Sequence, residues 1–174
     1  MKVYIGPYPK EDEDRKINVK IHEYDTWSMD NTLAHIIHPM LVQLKETKHG
    51  SPKVDNEDVP AELRSTNAEP VENEWDTDSL WFDRWDWVLD QMIWSFSQKL
   101  IDWEEQYHTG EIDFSFIPCD TQGNECAKED VKLYRLDKGP NNTHVFNKEE
   151  YLKHSERMEN GFRLFGKYYQ ALWD

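Results

Sequence analysis

Three aspartates in the middle of the chain, Asp83, Asp86 and Asp90, have the spacing of a metal site. At about 100° per residue, positions i, i+3 and i+7 lie within roughly one third of a helix circumference. Carboxylates placed in this way can hold Mg²⁺, as they do in helical nucleotide pyrophosphohydrolases. That class also has an ExxE pair on an earlier helix, which the first predicted helix here lacks. We therefore favour a solvated helix face with no cofactor, and keep a Mg²⁺-dependent enzyme of this type as the alternative.

Two histidines three residues apart, His35 and His38, form a second candidate metal site. Residues at this spacing are neighbours on a helix surface, and imidazole nitrogens are common zinc ligands. A third ligand would have to come from elsewhere, for example from His22 or Asp30. Because no ligand motif accompanies the pair, we favour polar residues beside Pro39 as the interpretation.

The sequence identifies no nucleophile and no phosphate-binding loop. It contains no GxGxxG, GxxxxGK[ST], GxSxG or HExxH pattern. Cys119 and Cys126 are not accompanied by a CxxC or a nearby histidine pair, so we expect two reduced thiols and leave open whether they are linked. No catalytic residue is assigned, and a non-enzymatic protein is the favoured class.

The acidic side chains are concentrated in one irregular, proline-containing stretch at about residues 51–78. Residues 54–78 hold nine acids and one base, and residues 54–107 hold 15 acids and three bases, which is −12 of the total −15. A negative surface next to an exposed aromatic ring can steer a basic partner and then anchor it. The predicted binding residues are Glu69, Glu72, Glu74, Trp75 and Asp76. Trp173 is a second tryptophan that we expect to be exposed, because it also lies at the edge of an element.

The net charge of −15 bounds the choice of partner. Direct binding to nucleic acid is disfavoured, because phosphates would be repelled instead of releasing counterions. No apolar run has the length of a membrane span, and no secretory leader is evident, so the expected location is the cytoplasm. A basic protein is the expected partner, with the acidic surface standing in for a polyanion, and a homo-oligomer is possible. The opposing interpretation is that the acids only keep the protein soluble.

A long helix is predicted at residues 80–107, and the other elements are expected to pack against it. It holds five of the eight tryptophans, and apolar residues recur every three or four positions. Trp85, Met92 and Phe96 are expected to be nearly fully buried against two further helices, at residues 29–47 and 148–173. In the last helix, Asn147 is the predicted N-cap, and Phe146 and Tyr151 fit a hydrophobic staple. Gly161 and Gly166 predict a close approach of indoles from the central helix.

The predicted fold class is α+β, in a single domain of residues 1–174. Ile17, Val19 and Ile21 alternate with polar residues, which indicates a strand with one buried face. Residues 112–116 and 131–136 predict a β-hairpin. We expect one small antiparallel sheet made of these strands, with the three helices covering its apolar face.

Four segments of the chain resemble a family of small uncharacterised proteins encoded by tailed bacteriophages. They are EYDTWSMDNTLAHIIHPMLVQLKETKHGSP, DVPAELRSTNA, RWDWVLDQMIWSF and NGFRLFGKYYQALW, in the same order through most of the chain. The resemblance implies a viral source and a location in a bacterial host cytoplasm or a virion. It implies no activity and no catalytic residues. Small phage proteins often act by binding, so the expected partner is a basic host or phage protein, and a minor virion structural component is a further alternative.

Overall fold

The computed structural model describes residues 1–6, 14–73 and 75–173. The chain divides into two compact units, one built from residues 1–102 together with 155–174, the other from residues 103–154. The single domain stays a prediction, since two compact units can belong to one domain. No helix in the described residues is both long enough and apolar enough to cross a membrane.

The fold is α+β, as predicted, with three main helices and small antiparallel sheets. The helices are α1 (Met29–Thr47), α2 (Trp81–Gln98) and α3 (Lys148–Lys167). The strands are β1 (Lys2–Ile5), β2 (Ile17–Lys20), β3 (His108–Thr109), β4 (Phe114–Cys119), β5 (Leu133–Lys138) and β6 (Val145–Phe146).

The core of the first unit lies along α2. Trp85 and Met92 are almost completely inaccessible to solvent, and Phe96 is also buried, which confirms the predicted inward face. Phe96 meets the rings of Phe162 and Phe165 edge-on, with ring centroids 5.2 and 4.9 Å apart. Ala34 and Leu41 of α1 complete the same apolar cluster. Contacts on two sides explain why α2 needs a wide apolar arc.

Helix α2 is shorter than predicted, because it ends at Gln98 rather than at residue 107. No glycine or proline marks this end, so the sequence pattern does not reveal it. The amides of Lys99, Leu100 and Ile101 each bond to a carbonyl three residues back, which tightens the last turn. The Asn31 side chain, from α1, then donates a 2.6 Å hydrogen bond to the carbonyl of Lys99. A tertiary contact therefore satisfies the end of the helix.

The start of α3 follows the sequence signals. The Asn147 side chain accepts a hydrogen bond from the Glu150 amide at 3.3 Å, as expected of an N-cap. Phe146 and Tyr151 form the predicted hydrophobic staple, with ring centroids 5.2 Å apart. The helix ends at Lys167, short of the predicted residue 173, and a 3₁₀ turn follows at Tyr169–Ala171.

The two glycines of α3 have different surroundings. A Cβ added at Gly161 would lie 2.5 Å from the carbonyl oxygen of Gln91 and would also collide with the Ser95 side chain. Gly161 therefore lets α2 approach closely, although through backbone and a serine rather than through the tryptophans. At Gly166 nothing in the described residues lies within 4 Å of such a Cβ, so the prediction of a close approach there is wrong.

The strands form three separate two-stranded antiparallel sheets, which corrects the single sheet expected from the sequence. β2 pairs with β1, so that Val3 faces Val19 and Ile5 faces Ile17. β4 pairs with β5 as the predicted hairpin, and the short strands β3 and β6 pair with each other. Cys119 and Cys126 are both free.

The apolar faces of these sheets are not covered as predicted. All four residues of β2 are exposed, although the alternation in its sequence indicates one buried face. In β4 the apolar residues Phe114 and Phe116 are exposed, while Ile117 and Cys119 are sheltered. Periodicity identified these strands, but their partners in the tertiary structure decide which face is buried.

In the second unit, residues 103–107 and α3 form a cluster of rings. Trp103, predicted to belong to the central helix, stacks on His154 with ring centroids 4.4 Å apart. The hydroxyl of Tyr107 lies 2.8 Å from Nδ1 of the same histidine. Tyr151 stacks on Trp103 as well, at 5.1 Å. These half-buried side chains therefore pack on one another within this unit.

Candidate acidic binding site

The acidic loop, residues 51–78, is held to α2 at two places. Arg84 is buried and donates through Nη2 to Asp78 at 2.6 Å and through Nη1 to the carbonyl of Leu63 at 3.1 Å. The Trp81 indole donates to the carbonyl of Ser51 at 3.1 Å. The Arg84 hydrogen bond holds the pKa of Asp78 below its ordinary value. Although irregular, the loop is thus fixed to a rigid element.

The first acidic cluster of the loop is the paired segment, Asp55 to Asp58. Asp58 is only 3% exposed and lies 2.7 Å from Nη1 of Arg163. Its other oxygen lies 2.5 Å from Nζ of Lys167 and accepts a 2.6 Å hydrogen bond from the Tyr168 hydroxyl. Lys167 also reaches Asp55, at 2.8 Å. The carboxylates of this segment are therefore engaged by the C-terminal end of α3.

The protonation behaviour of the paired segment follows from these contacts. Burial by itself would raise the pKa of Asp58, but the hydrogen bonds from Lys167, Tyr168 and Arg163 outweigh it and the pKa is lowered. The pKa of Lys167 is raised, chiefly by its hydrogen bonds with Asp55 and Asp58. Burial, together with the hydrogen bond to Asp58, raises the pKa of Tyr168 to about 12. The network therefore keeps its charges across the neutral range.

The second acidic cluster is the open segment, residues 69–76, which holds the binding residues predicted from the sequence. Glu69, Glu72 and Asp76 are all exposed and line one groove of about 380 Å³, together with Pro70, Val71, Thr77 and Ser79. A neighbouring groove of about 300 Å³ shares Glu69 and Asp76 and extends to Trp81. The structure thus brings these three predicted acids to one concave surface. Glu74 lies outside the described residues.

The open segment differs from the paired segment in its partners. Asp76 accepts hydrogen bonds from the amide and the side chain of Asn73, at 3.2 and 2.9 Å. Within the part of the chain that the structure describes, Glu69 and Glu72 make no ion pair. Trp75 is 82% exposed, as predicted. Among the described residues, the segment consequently offers the Glu69 and Glu72 carboxylates and the Trp75 indole to solvent.

The predicted metal ligands are not brought together. Asp86 lies 2.5 Å from Nζ of Lys48, and Asp90 lies 2.5 Å from Nζ of Lys45, so two lysines of α1 engage them. Asp83 is exposed. A Mg²⁺ ion would have to displace both lysines, which the pattern of aspartates alone does not reveal. The Mg²⁺-dependent enzyme remains a hypothesis.

The two predicted histidine ligands lie on α1, where His35 is exposed and His38 half-buried. Among the described residues, no three His, Cys, Asp or Glu side chains are grouped so that they could hold a metal ion. The structure therefore adds no third ligand to this pair.

Trp27 is an exposed tryptophan that the sequence did not single out. Trp27 is 87% exposed, more than Trp75, whereas Trp173 is exposed as predicted. Trp27 lies between the 3₁₀ turn Glu23–Thr26 and the start of α1. The rule that selected the other two, a tryptophan at the edge of an element, would have found it as well.

Comparisons with known protein families, with curated proteins and with solved structures find no match to this chain. The acidic site is therefore interpreted from its own geometry.

Proposed function

We propose that this chain is a non-enzymatic binding protein that captures a basic protein through the open segment of its acidic loop. The observation that supports this proposal most directly is the groove lined by Glu69, Glu72 and Asp76, next to the exposed Trp75 in the sequence. Carboxylates attract lysine and arginine over a distance, and an indole holds a cation at its face by about 0.5–2 kcal/mol. The two features together suit a basic side chain.

The placement of the chain's own cations supports this proposal. Arg163 and Lys167 are engaged by the paired segment, and Arg84 by Asp78. Glu69 and Glu72 thus remain available to the cations of another molecule. A partner that normally binds nucleic acid would fit, because carboxylates can replace phosphates. We also propose, from the sequence resemblance alone, a bacteriophage source and action in the host cytoplasm, with the virion as the alternative.

The experiment reverses the charge of the open segment and measures binding to polylysine by calorimetry. In one variant Glu69, Glu72, Glu74 and Asp76 are all changed to Lys. We expect its affinity to fall at least tenfold, with a melting temperature close to that of the wild type. Glu69, Glu72 and Asp76 are exposed, and a substitution at such a position changes stability by only about 0.5 kcal/mol. Wild-type binding should weaken as salt rises, because the screening length is only about 8 Å at physiological ionic strength.

A control variant separates the local surface from the net charge. It changes Glu104, Glu105, Glu156 and Glu159 to Lys, four exposed acids outside the loop, and so alters the net charge equally. The proposal expects this control to retain most of the wild-type affinity. If both variants lose the same affinity, the acids act only through net charge and the proposal is wrong. Replacing Trp75 by Ala should add a smaller loss if the indole contacts the cation.

A further inference from the structure

The β4–β5 hairpin has two different faces. Residues opposite each other in an antiparallel pair share a face, and successive residues alternate between faces. The register aligns Phe116 with Leu136 and Pro118 with Tyr134. We use the name apolar ribbon face for the side of the hairpin formed by Phe114, Phe116, Pro118, Tyr134, Leu136 and Lys138.

The apolar ribbon face exposes most of the large apolar side chains of the hairpin, whereas the exposed residues of the other face include Leu133, Arg135 and Asp137. Phe114, Phe116, Tyr134 and Leu136 are 52%, 69%, 64% and 53% exposed. On the other side Cys119 is completely buried and Ile117 is half-buried. Large apolar side chains grouped on one exposed sheet face mark a surface that another surface covers.

The charge of this face is unusual for the chain. The sequence carries 35 acidic residues, yet the apolar ribbon face, whose residues are all described, has no carboxylate and only Lys138 as a charge. The proposed basic partner would have nothing to pair with here. A strongly acidic partner, in contrast, meets no repelling carboxylate on this face.

We propose that a second copy of this chain docks on the apolar ribbon face, so that the two faces pack against each other about a two-fold axis. Two copies each carry a net charge of −15, so most of their surfaces repel. In a two-fold contact the same patch of both copies lies at the interface. A patch that contains carboxylates would therefore place them against the carboxylates of the second copy. The apolar ribbon face avoids this repulsion and removes apolar surface from water in both copies.

The available area predicts how tight the association is. A large apolar side chain has a surface of about 200 Å². The exposed parts of Phe114, Phe116, Tyr134 and Leu136 then add up to roughly 450 Å² per copy, so a dimer would bury about 900 Å² in total. Specific interfaces usually bury more than about 1,000 Å². The expected dimer is therefore weak and reversible, and forms only at high protein concentration.

The test is sedimentation equilibrium of the wild type and of Phe116→Asp over a wide range of protein concentration. The wild type should show a mass that rises from one chain towards two. Phe116→Asp places a carboxylate in both halves of the contact and should weaken association at least tenfold. The matched control is Ile17→Asp, which alters an exposed residue of the β1–β2 sheet with the same change in charge and should associate as the wild type does.

Salt dependence gives a second, independent readout. Added salt screens the repulsion between two acidic copies, so self-association should strengthen as salt rises. Binding of polylysine to the open segment should weaken over the same range, and the two proposals can therefore fail separately.

Any of three results would overturn the dimer. The wild type could stay monomeric at the highest concentration, or Phe116→Asp could associate as strongly as the wild type. The third is that Phe116→Asp and Ile17→Asp lose the same share of the association. Should Phe116→Asp fail to fold, Tyr134→Asp on the paired strand takes its place with the same expectation.

Discussion

The paired and open segments of the acidic loop are both rich in carboxylates but have different surroundings. Asp58, in the paired segment, is buried against Arg163, Lys167 and Tyr168. Glu72, in the open segment, is exposed and lines a groove. The difference comes from Arg163 and Lys167 of α3, which engage the paired segment but neither Glu69 nor Glu72. Acidity in a sequence therefore does not distinguish carboxylates that hold a fold together from those that can meet a partner.

The largest expected effect is on stability when the paired segment loses its buried carboxylate. Asp58→Ala removes the buried carboxylate shared by Arg163, Lys167 and the Tyr168 hydroxyl, and loss of hydrogen bonds to a charged group costs about 2–3 kcal/mol. Glu72→Ala, the matched change in the open segment, should alter the free energy of unfolding by less than about 0.5 kcal/mol. Urea denaturation measures both. Equal losses in the two variants would show that the segments do not differ as described.

A pH titration of stability sharpens the comparison further. The pKa of Asp58 is lowered in the folded protein, so the unfolded state binds its proton first as the pH falls. The stabilisation of the folded protein by the ionised Asp58 is complete above the pKa that this carboxyl has in the unfolded chain, near 3.8. It is lost as the pH falls through the lower pKa that Asp58 has in the folded protein. The stability advantage of the wild type over Asp58→Asn should therefore shrink below about pH 4. A constant difference from pH 7 to pH 2 would contradict the assigned network.

Within the paired segment, the smallest expected effect comes from one hydroxyl. Tyr168→Phe removes the donor to Asp58 and the acceptor of the Asp55 amide but keeps the ring, and should cost about 1–2 kcal/mol near neutral pH. Because the folded pKa of Tyr168 is about 12 and the ordinary value is 10, its contribution is complete below pH 10 and is lost as the pH rises through 12. The wild type and the variant should converge over that range in thermal denaturation. Parallel curves would exclude this role of the hydroxyl.

A similar contrast holds between the sheets and the helices. The spacing of apolar residues predicted α1 and the inward face of α2, because a helix repeats its face within four residues. The polar residue Asn147 predicted the start of α3. The same kind of pattern predicted the strands, but not that Ile17 and Phe116 are exposed. A strand's alternation says only that its faces differ. Which face is covered depends on elements distant in the sequence.

The sequence by itself determined the α+β class, the three helices, the hairpin and the acidic loop with its exposed Trp75. These features depend on local periodicity, capping and charge, which neighbouring residues specify. Only the tertiary structure decided that α2 ends at Gln98, where Asn31 satisfies a carbonyl, and that lysines engage Asp86 and Asp90. It also decided that Asp58 is buried while Glu69 and Glu72 remain exposed. Each of these outcomes depends on a contact between residues far apart in the chain, and a single sequence does not encode such pairings in a pattern that can be recognised locally.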